Sequence, residues 1–217
     1  MKLLSDLRSE HALIERLVGS LQTFAAARAS GAVDPAAGAA YVAFFRLYAG
    51  RYHHAREEGV LFPALVREAE VPADRGPLAA LAADHAALET LLAQMEPALT
   101  SAEPGVGAGE LVLFARRHGA MLLHHIDAEN DVLFVESEAR LAQASVAELP
   151  TREPDAEEAA ARDAGAALVD RYPPSDIPEL WRGAGCVACP AYGERCAGIE
   201  REWWSELDWQ DFHDRAH

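Results

Sequence analysis

Apolar residues recur every three or four positions through roughly the first 140 residues of the chain, which predicts helices rather than strands. Leu3, Leu7, His11, Ile14, Leu17, Leu21 and Phe24 share one face of a helix expected over about residues 3–28. Ser30-Gly31 ends it, and Asp34-Pro35 supplies a capping side chain ahead of a first-turn proline. A second helix runs from there to about Arg67, with Tyr41, Phe44, Tyr48, His54, Glu58, Leu61 and Leu65 inward. Pro63 lies inside that pattern and is expected to kink or tighten the last turns. A turn from Val71-Pro72 to Gly76-Pro77 leads to a third helix, with Leu78, Leu81, His85, Leu88, Leu92 and Met95 inward. After the loop SAEPGVG (101–107), a fourth helix covers about residues 108–142, with Leu111, Phe114, His118, Met121, His125, Glu129 and Val132 inward. Short connections favour antiparallel neighbours, so the expected fold is all-α: an antiparallel up-down four-helix bundle over residues 1–146.

The character of the chain changes after that. Residues 147–180 are acidic and punctuated by proline, and are expected to be a linker carrying at most a short exposed helix. Residues 181–217 hold all four tryptophans (Trp181, Trp203, Trp204, Trp209) and all three cysteines, which predicts a small ordered C-terminal appendage.

Composition narrows the function classes. Half of the 217 residues are apolar, ample for one substantial core. A formal charge of −16 argues against nucleic acid or an anionic membrane as partner, and keeps the protein soluble in any case. The N-terminus, MKLLSDLRSEH, lacks the apolar run of a secretory signal, and no stretch approaches the roughly 20 apolar residues of a membrane span. A cytoplasmic location is expected. An odd, clustered set of cysteines then reads as thiol or metal chemistry rather than a disulfide framework.

The polar residues on the inward stripes carry the chemistry. His54-x-x-x-Glu58 follows His11 by 43 residues, and His125-x-x-x-Glu129 follows His85 by 40. The surroundings repeat as well. EHALIERLVGSL (10–21) matches DHAALETLLAQM (84–95), and HHAREEGVLF (53–62) matches HHIDAENDVLF (124–134), which is one residue longer. Two copies of a helix pair suggest a bundle with a pseudo-twofold axis. Residues four apart share a helix face, so each His-Glu pair can point to one spot, with His11 and His85 contributed by the other two helices. Burying these groups without partners costs about 1–3 kcal/mol for each unsatisfied group, and metal ions remove that penalty. Imidazole and carboxylate together suit iron, manganese or zinc, and two glutamates related by pseudosymmetry can bridge two metals.

These motifs resemble the hemerythrin-like, or HHE cation-binding, domain over roughly residues 1–140. The resemblance implies a four-helix bundle holding a non-haem di-iron centre with carboxylate and solvent-derived oxo bridges. His11, His54, His85 and His125 would be terminal ligands, and Glu58 and Glu129 the bridges. Oxygen-carrying members have a fifth histidine one turn before the third-helix ligand, where this chain has Leu81, and a His-x-x-x-x-Asp on the fourth helix. Here Asp131 stands six residues after His125, so Glu129 is the better bridge. The four-histidine, two-glutamate set is similar to members associated with nitric-oxide chemistry, iron-centre repair and iron or oxygen sensing.

Other polar residues have weaker claims. Glu15 and Glu89 stand four residues after His11 and His85, as extra ligands, as acceptors that orient imidazoles, or as plain surface residues. His53 and His124 are turned about a quarter turn from their neighbours and are expected outside the ligand set; Glu57 is expected in solvent. His118, about 10 Å along the helix from His125, is a core histidine, or it supports the site by relaying protons or gating access, with the core role the plainer one. Tyr48 and Tyr52 can donate to a bound oxygen ligand, though packing is the plainer role. Cys186-x-x-Cys189 with Cys196 and His213 (or His217) can form a zinc site, hold an iron–sulfur cluster or act as a redox pair, against the plain reading of three packed thiols.

Three functions follow as expectations. In the first, two irons bound between apolar walls (Phe44, Leu61, Phe62, Phe114, Met121, Phe134) bind or reduce dioxygen, nitric oxide or peroxide, with electrons from an unidentified donor. Bridging glutamates would hold the irons roughly 3.5–4 Å apart. In the second, the bundle senses iron or oxygen and signals to a protein partner. In the third, it donates iron for repair of iron centres.

Overall fold

The computed structural model describes residues 1–175, which are all-helical with no strand among them. The cysteine and tryptophan appendage, including Cys186, Cys189, Cys196 and His213, lies outside the described residues.

Helix α1 is Lys2–Ala29. Helix α2, Pro35–Ala43, starts where the Asp34 carboxylate accepts from the Ala37 N–H at 3.1 Å, with Pro35 in the first turn. The helix then widens into i→i+5 turns at π1, Phe44–His54, and again at π2, Glu57–Leu61, before α3, Phe62–Ala69. Residues 35–69 are thus one continuous helical run, ended by Glu70 in the left-handed region at φ 54°. Helix α4 is Gly76–Thr100. Helix α5, Ala108–Ala128, continues through a third wide turn, π3 at Glu129–Leu133, into α6, Phe134–Gln143.

The turn before Pro63 is therefore wide, not tightened. Proline is not the cause. The wide turn recurs at the same place in the second half, ahead of Phe134, where Val135 follows instead of a proline. What the two turns share is an interior glutamate as first residue: Glu57 and Glu129.

Residues 156–171 correct the expectation of a linker. Ala156–Arg171 is helix α7, opened by a reciprocal capping box between Asp155 and Glu158. It packs on π1, α1 and α2. Leu168 and Val169 are buried in the core, and Gly165 lies flush against Phe44, with no room for a Cβ. The acidic residues that made the segment look solvated dock it instead. Buried Glu158 receives Arg51 at 3.2 Å and both guanidinium nitrogens of Arg152 at 2.6 and 2.8 Å.

Helix α1 packs on α5, α4 on α5, and α2 on α4. The α2–α4 approach is close because Gly38 presents its bare Cα to the Leu99 carbonyl, where a Cβ would overlap backbone. Apolar side chains form two separate clusters. One is built on Ile14, Leu17, Leu21, Phe24, Tyr41 and Leu122. The other is built on Leu3, Leu7, Leu61, Leu81, Leu133 and Phe134. Between them lies a buried polar layer supplied by all four long helical runs: His11, His53, Glu57, His85, His125 and Glu129.

Candidate metal centre

Two groups of side chains in that layer could each hold a cation: His54, Glu57, His85 and His125, and His11, His53, Glu57 and Glu129. The potential ligand atoms within each group lie within 4.8 Å of one another, and Glu57 belongs to both. His11 and His53 point their Nε2 atoms at each other across 3.0 Å, as do His85 and His125.

The outer nitrogens explain this geometry. His53 Nδ1 lies 2.8 Å from Glu10, His85 Nδ1 2.6 Å from Glu58, His125 Nδ1 3.3 Å from Asp84, and His11 Nδ1 2.9 Å from the Asn130 side-chain oxygen. All four partners are acceptors, so each neutral ring carries its proton on Nδ1 and turns an Nε2 lone pair inward. When both rings of a pair are neutral, lone pairs facing each other at 3.0 Å repel, and a cation placed beside the pair turns that repulsion into ligation. Helix register makes the pattern symmetric, because Glu10 precedes His11 as Asp84 precedes His85, and Glu58 follows Glu57 as Asn130 follows Glu129.

The carboxylates lie between the pairs. One Glu129 oxygen is 3.3 Å from His11 Nε2, and the other is 3.2 Å from His125 Nε2. Glu57 reaches His53 at 3.5 Å and His85 at 3.6 Å in the same way. All four oxygens of Glu57 and Glu129 are buried without a hydrogen-bond partner. Native proteins rarely leave such atoms unpaired, and each costs about 1–3 kcal/mol or more when charged. Burial and the Glu129 charge push the Glu57 carboxyl well above its usual range. Burial also acts to raise Glu129, but His125 and His11 override it and hold that group well below. Burial disfavours the charged form of His53 and His54, whose pKa values lie well below the usual histidine range. His125 is also pushed down by burial, but Glu129 and Asp84 outweigh that and carry it up to about 9.

This arrangement changes the expected ligand set in three ways. His11, His54, His85, His125 and Glu129 are brought together. Glu58 is not: its exposed carboxylate stands behind His85. Glu57, expected in solvent, is fully buried and is the carboxylate common to both groups, and His53, expected outside the set, points inward beside His11. The wide turns allow His53 and His54, adjacent in sequence, both to reach the interior. The two candidate groups together contain five histidines, two of them from the second helical run, while Leu81 stays in the apolar core. The signal was present in the sequence. Aligning the two VLF triplets and reading back without a gap superposes Glu57 on Glu129 and His53 on His125. Superposing the His-His dipeptides instead requires an inserted residue and shifts the first copy by one.

Of the other candidates, Glu15 is half-buried outside both groups, Glu89 is exposed, and so is His124. His118 is buried against Phe45, with its Nδ1 unpartnered. Tyr48 and Tyr52 stack on each other at 5.4 Å in the core, and the Tyr52 hydroxyl donates to the Arg152 carbonyl. Phe44, Leu61, Phe62 and Phe134 are buried, whereas Phe114 and Met121 are half-buried.

The family model "Hemerythrin HHE cation binding domain" matches residues 2–136, more than half of the chain, and the chain belongs to that family. The match ends within α6 and covers every residue of the two candidate groups. No curated protein and no solved structure matches the chain. Among the described residues, no helix is long and apolar enough to cross a membrane.

Proposed function

We propose that the four long helical runs form an up-down bundle around a dinuclear iron centre that binds a small oxidant: dioxygen, nitric oxide or a peroxide. Four buried carboxylate oxygens without a hydrogen-bond partner, each facing an imidazole Nε2, carry this reading. His11 and His53 would hold one ion and His85, His125 and His54 the other, with Glu57 common to both groups and Glu129 lying within 3.3 Å of His11 and 3.2 Å of His125. Nitrogen and oxygen donors in this ratio suit iron, and the family's cation-binding character agrees with them.

When bound, the two ions would supply electrons and a Lewis-acidic surface for the oxidant. The chain's own residues do the rest. Glu10, Glu58, Asp84 and Asn130 fix the tautomer and direction of four imidazoles. The apolar clusters on either side restrict water to what the site admits.

Metal analysis of the full chain, with optical spectra before and after azide or nitric oxide, tests the proposal. Two irons per chain with oxo-bridge absorption that changes on ligand addition is the expected result. One metal or none per chain overturns the dinuclear reading. Two irons with no response to either ligand, combined with rapid iron transfer to an apo acceptor, would replace oxidant binding with iron donation.

A further inference from the structure

The two halves of the repeat orient equivalent histidines by different means. Asp84 accepts from His125 Nδ1 at 3.3 Å, and its side chain is 33% exposed, so water shares its charge. Glu10 accepts from His53 Nδ1 at 2.8 Å but is buried. A buried carboxylate needs a charged or hydrogen-bonding partner in place of water. Arg56 is that partner, because its Nη2 donates to the same Glu10 oxygen that faces His53. In the register that superposes Glu57 on Glu129, the second half has Ala128 where the first has Arg56. The guanidinium is therefore an addition to the first half and not a requirement of the repeat.

Arg56 is itself buried and held at further points. Its Nε donates to the Tyr52 carbonyl at 3.1 Å, its guanidinium lies 3.9 Å from the centre of the Tyr52 ring, and its Nη1 reaches the Thr151 hydroxyl at 3.5 Å. Tyr52 is fixed in turn by the segment that precedes α7. Its hydroxyl donates to the Arg152 carbonyl at 3.2 Å, and the Arg152 guanidinium lies 4.9 Å from its ring centre. Arg152 is tied to α7 through Glu158. His124 takes the place of Tyr52 in the second half and is exposed. A continuous line of contacts thus runs from α7 through Arg152, Tyr52 and Arg56 to Glu10 and His53. The family match stops at residue 136, so the far end of this line lies outside the shared domain.

We propose that Arg56 is a positioning residue for the ion held by His11 and His53, and that docked α7 tightens that ion's site by holding Arg56 in place. The proposal rests on the dinuclear reading and adds to it a control on one ion from a helix outside the family domain. The Arg56 guanidinium keeps the Glu10 carboxylate on His53 Nδ1, which leaves His53 Nε2 facing His11. Without it, Glu10 would turn toward water and His53 would lose its orienting acceptor, a loss that weakens metal affinity by roughly 10–100-fold. The ion on His85 and His125 is oriented instead by Glu58 and Asp84.

Anaerobic titration of the metal-free full chain with Co(II), followed by absorption and metal analysis, reads the two affinities separately. His11→Ala and His85→Ala identify the band of each ion. Arg56→Met keeps bulk against Tyr52 and removes the charge. It is expected to weaken the ion on His11 and His53 by roughly 10–100-fold and to leave the other unchanged. Arg56→Lys should restore part of the loss. Arg152→Met alters a side chain that is 44% exposed, yet should weaken the same ion several-fold. Asp84→Ala gives the mirror image, weakening the ion on His85 and His125. Arg56→Lys and Arg152→Met carry the test if Arg56→Met fails to fold. Equal weakening of both ions in Arg56→Met reduces Arg56 to a packing role and overturns the proposal, as does unchanged affinity. Unchanged affinities in Arg152→Met overturn the link to α7. A wild-type chain that takes up fewer than two ions overturns the dinuclear reading and the proposal with it, and that failure is visible before any variant is made.

Discussion

Glu57 and Glu129 are the same residue of a duplicated unit. Each stands four after an inward histidine, five before a buried phenylalanine, and at the first position of a wide helical turn. Each turns one oxygen toward one histidine pair and the other oxygen toward the second pair. Glu58, one residue on, lies outside this relationship and braces His85 from the solvent side.

That distinction gives opposite outcomes for neighbouring substitutions. Glu57→Ala removes a donor shared by both candidate groups and is expected to abolish binding of both ions. Glu58→Ala only frees the back of His85, so metal affinity should fall by roughly 10–100-fold with two ions still bound at saturating metal. Titration with Fe(II) or a spectroscopic substitute, followed by metal analysis, separates the two. Equal losses in both variants would contradict the assignment of Glu57 as the bridge.

Glu57→Gln should split metal-free from metal-loaded stability. Burial and the neighbouring Glu129 charge raise the Glu57 pKa well above normal, which favours the neutral carboxyl when no metal is bound. Glutamine copies that neutral form, and metal-free stability should change by less than about 1 kcal/mol. Metal at 100 times its dissociation constant stabilises the wild type by about 2.7 kcal/mol, and that gain should vanish in the variant. Calorimetry with and without a chelator reads both quantities. A variant that still gains thermal stability from metal would show that the Glu57 carboxylate is not needed for binding.

Much of this architecture was legible because it is written in apolar periodicity. Leu3 to Phe24 on α1 and Leu78 to Met95 on α4 are buried as their spacing predicts, and the helix ends fall within a few residues of Ser30, Pro35 and Pro77. The repeat of histidines and glutamates was legible too. The register of the second helical run was not, because a three-and-a-half-residue period cannot describe the wide turns at Phe44–His54 and Glu57–Leu61. Those turns bring His53 and Glu57 inward and leave Glu58 exposed. Helix α7 escaped for a different reason: its docking depends on Arg51, more than 100 residues away, accepting a helix that looks solvated when taken alone.

The α7 anchor should be sensitive to acid. The hydrogen bonds from Arg152 and Arg51 outweigh burial and lower the Glu158 pKa to about 2, against about 4.5 when unfolded. A depressed carboxylate stabilises the fold fully above its unfolded pKa and loses that contribution as pH falls through the folded one. Glu158→Gln should therefore cost about 2 kcal/mol near pH 6, the order of a charge-assisted hydrogen bond. The gap between variant and wild type should shrink below pH 4.5 and close near pH 2. Urea unfolding followed at several pH values measures that gap, and a gap independent of pH would remove the charge from the explanation.

Gly38 sets how closely α2 approaches α4, and so where the second helical run carries its histidines. A Cβ there would overlap the Leu99 carbonyl, which as backbone in the last turns of α4 cannot rotate away. In an isolated helix, Gly→Ala would favour folding by roughly 0.5–1 kcal/mol. Overpacking at a buried contact costs about 1–3 kcal/mol and reverses the sign. Gly38→Ala is thus expected to lower the melting temperature and, by pushing the two helices apart, to weaken metal uptake as well. Gly59, also on the second helical run, has open space around it. Gly59→Ala should be neutral or mildly stabilising, so the pair separates close approach from helix propensity. Thermal unfolding of both variants decides the matter, and a stabilising Gly38→Ala would show that α2 and α4 are not in contact at this point.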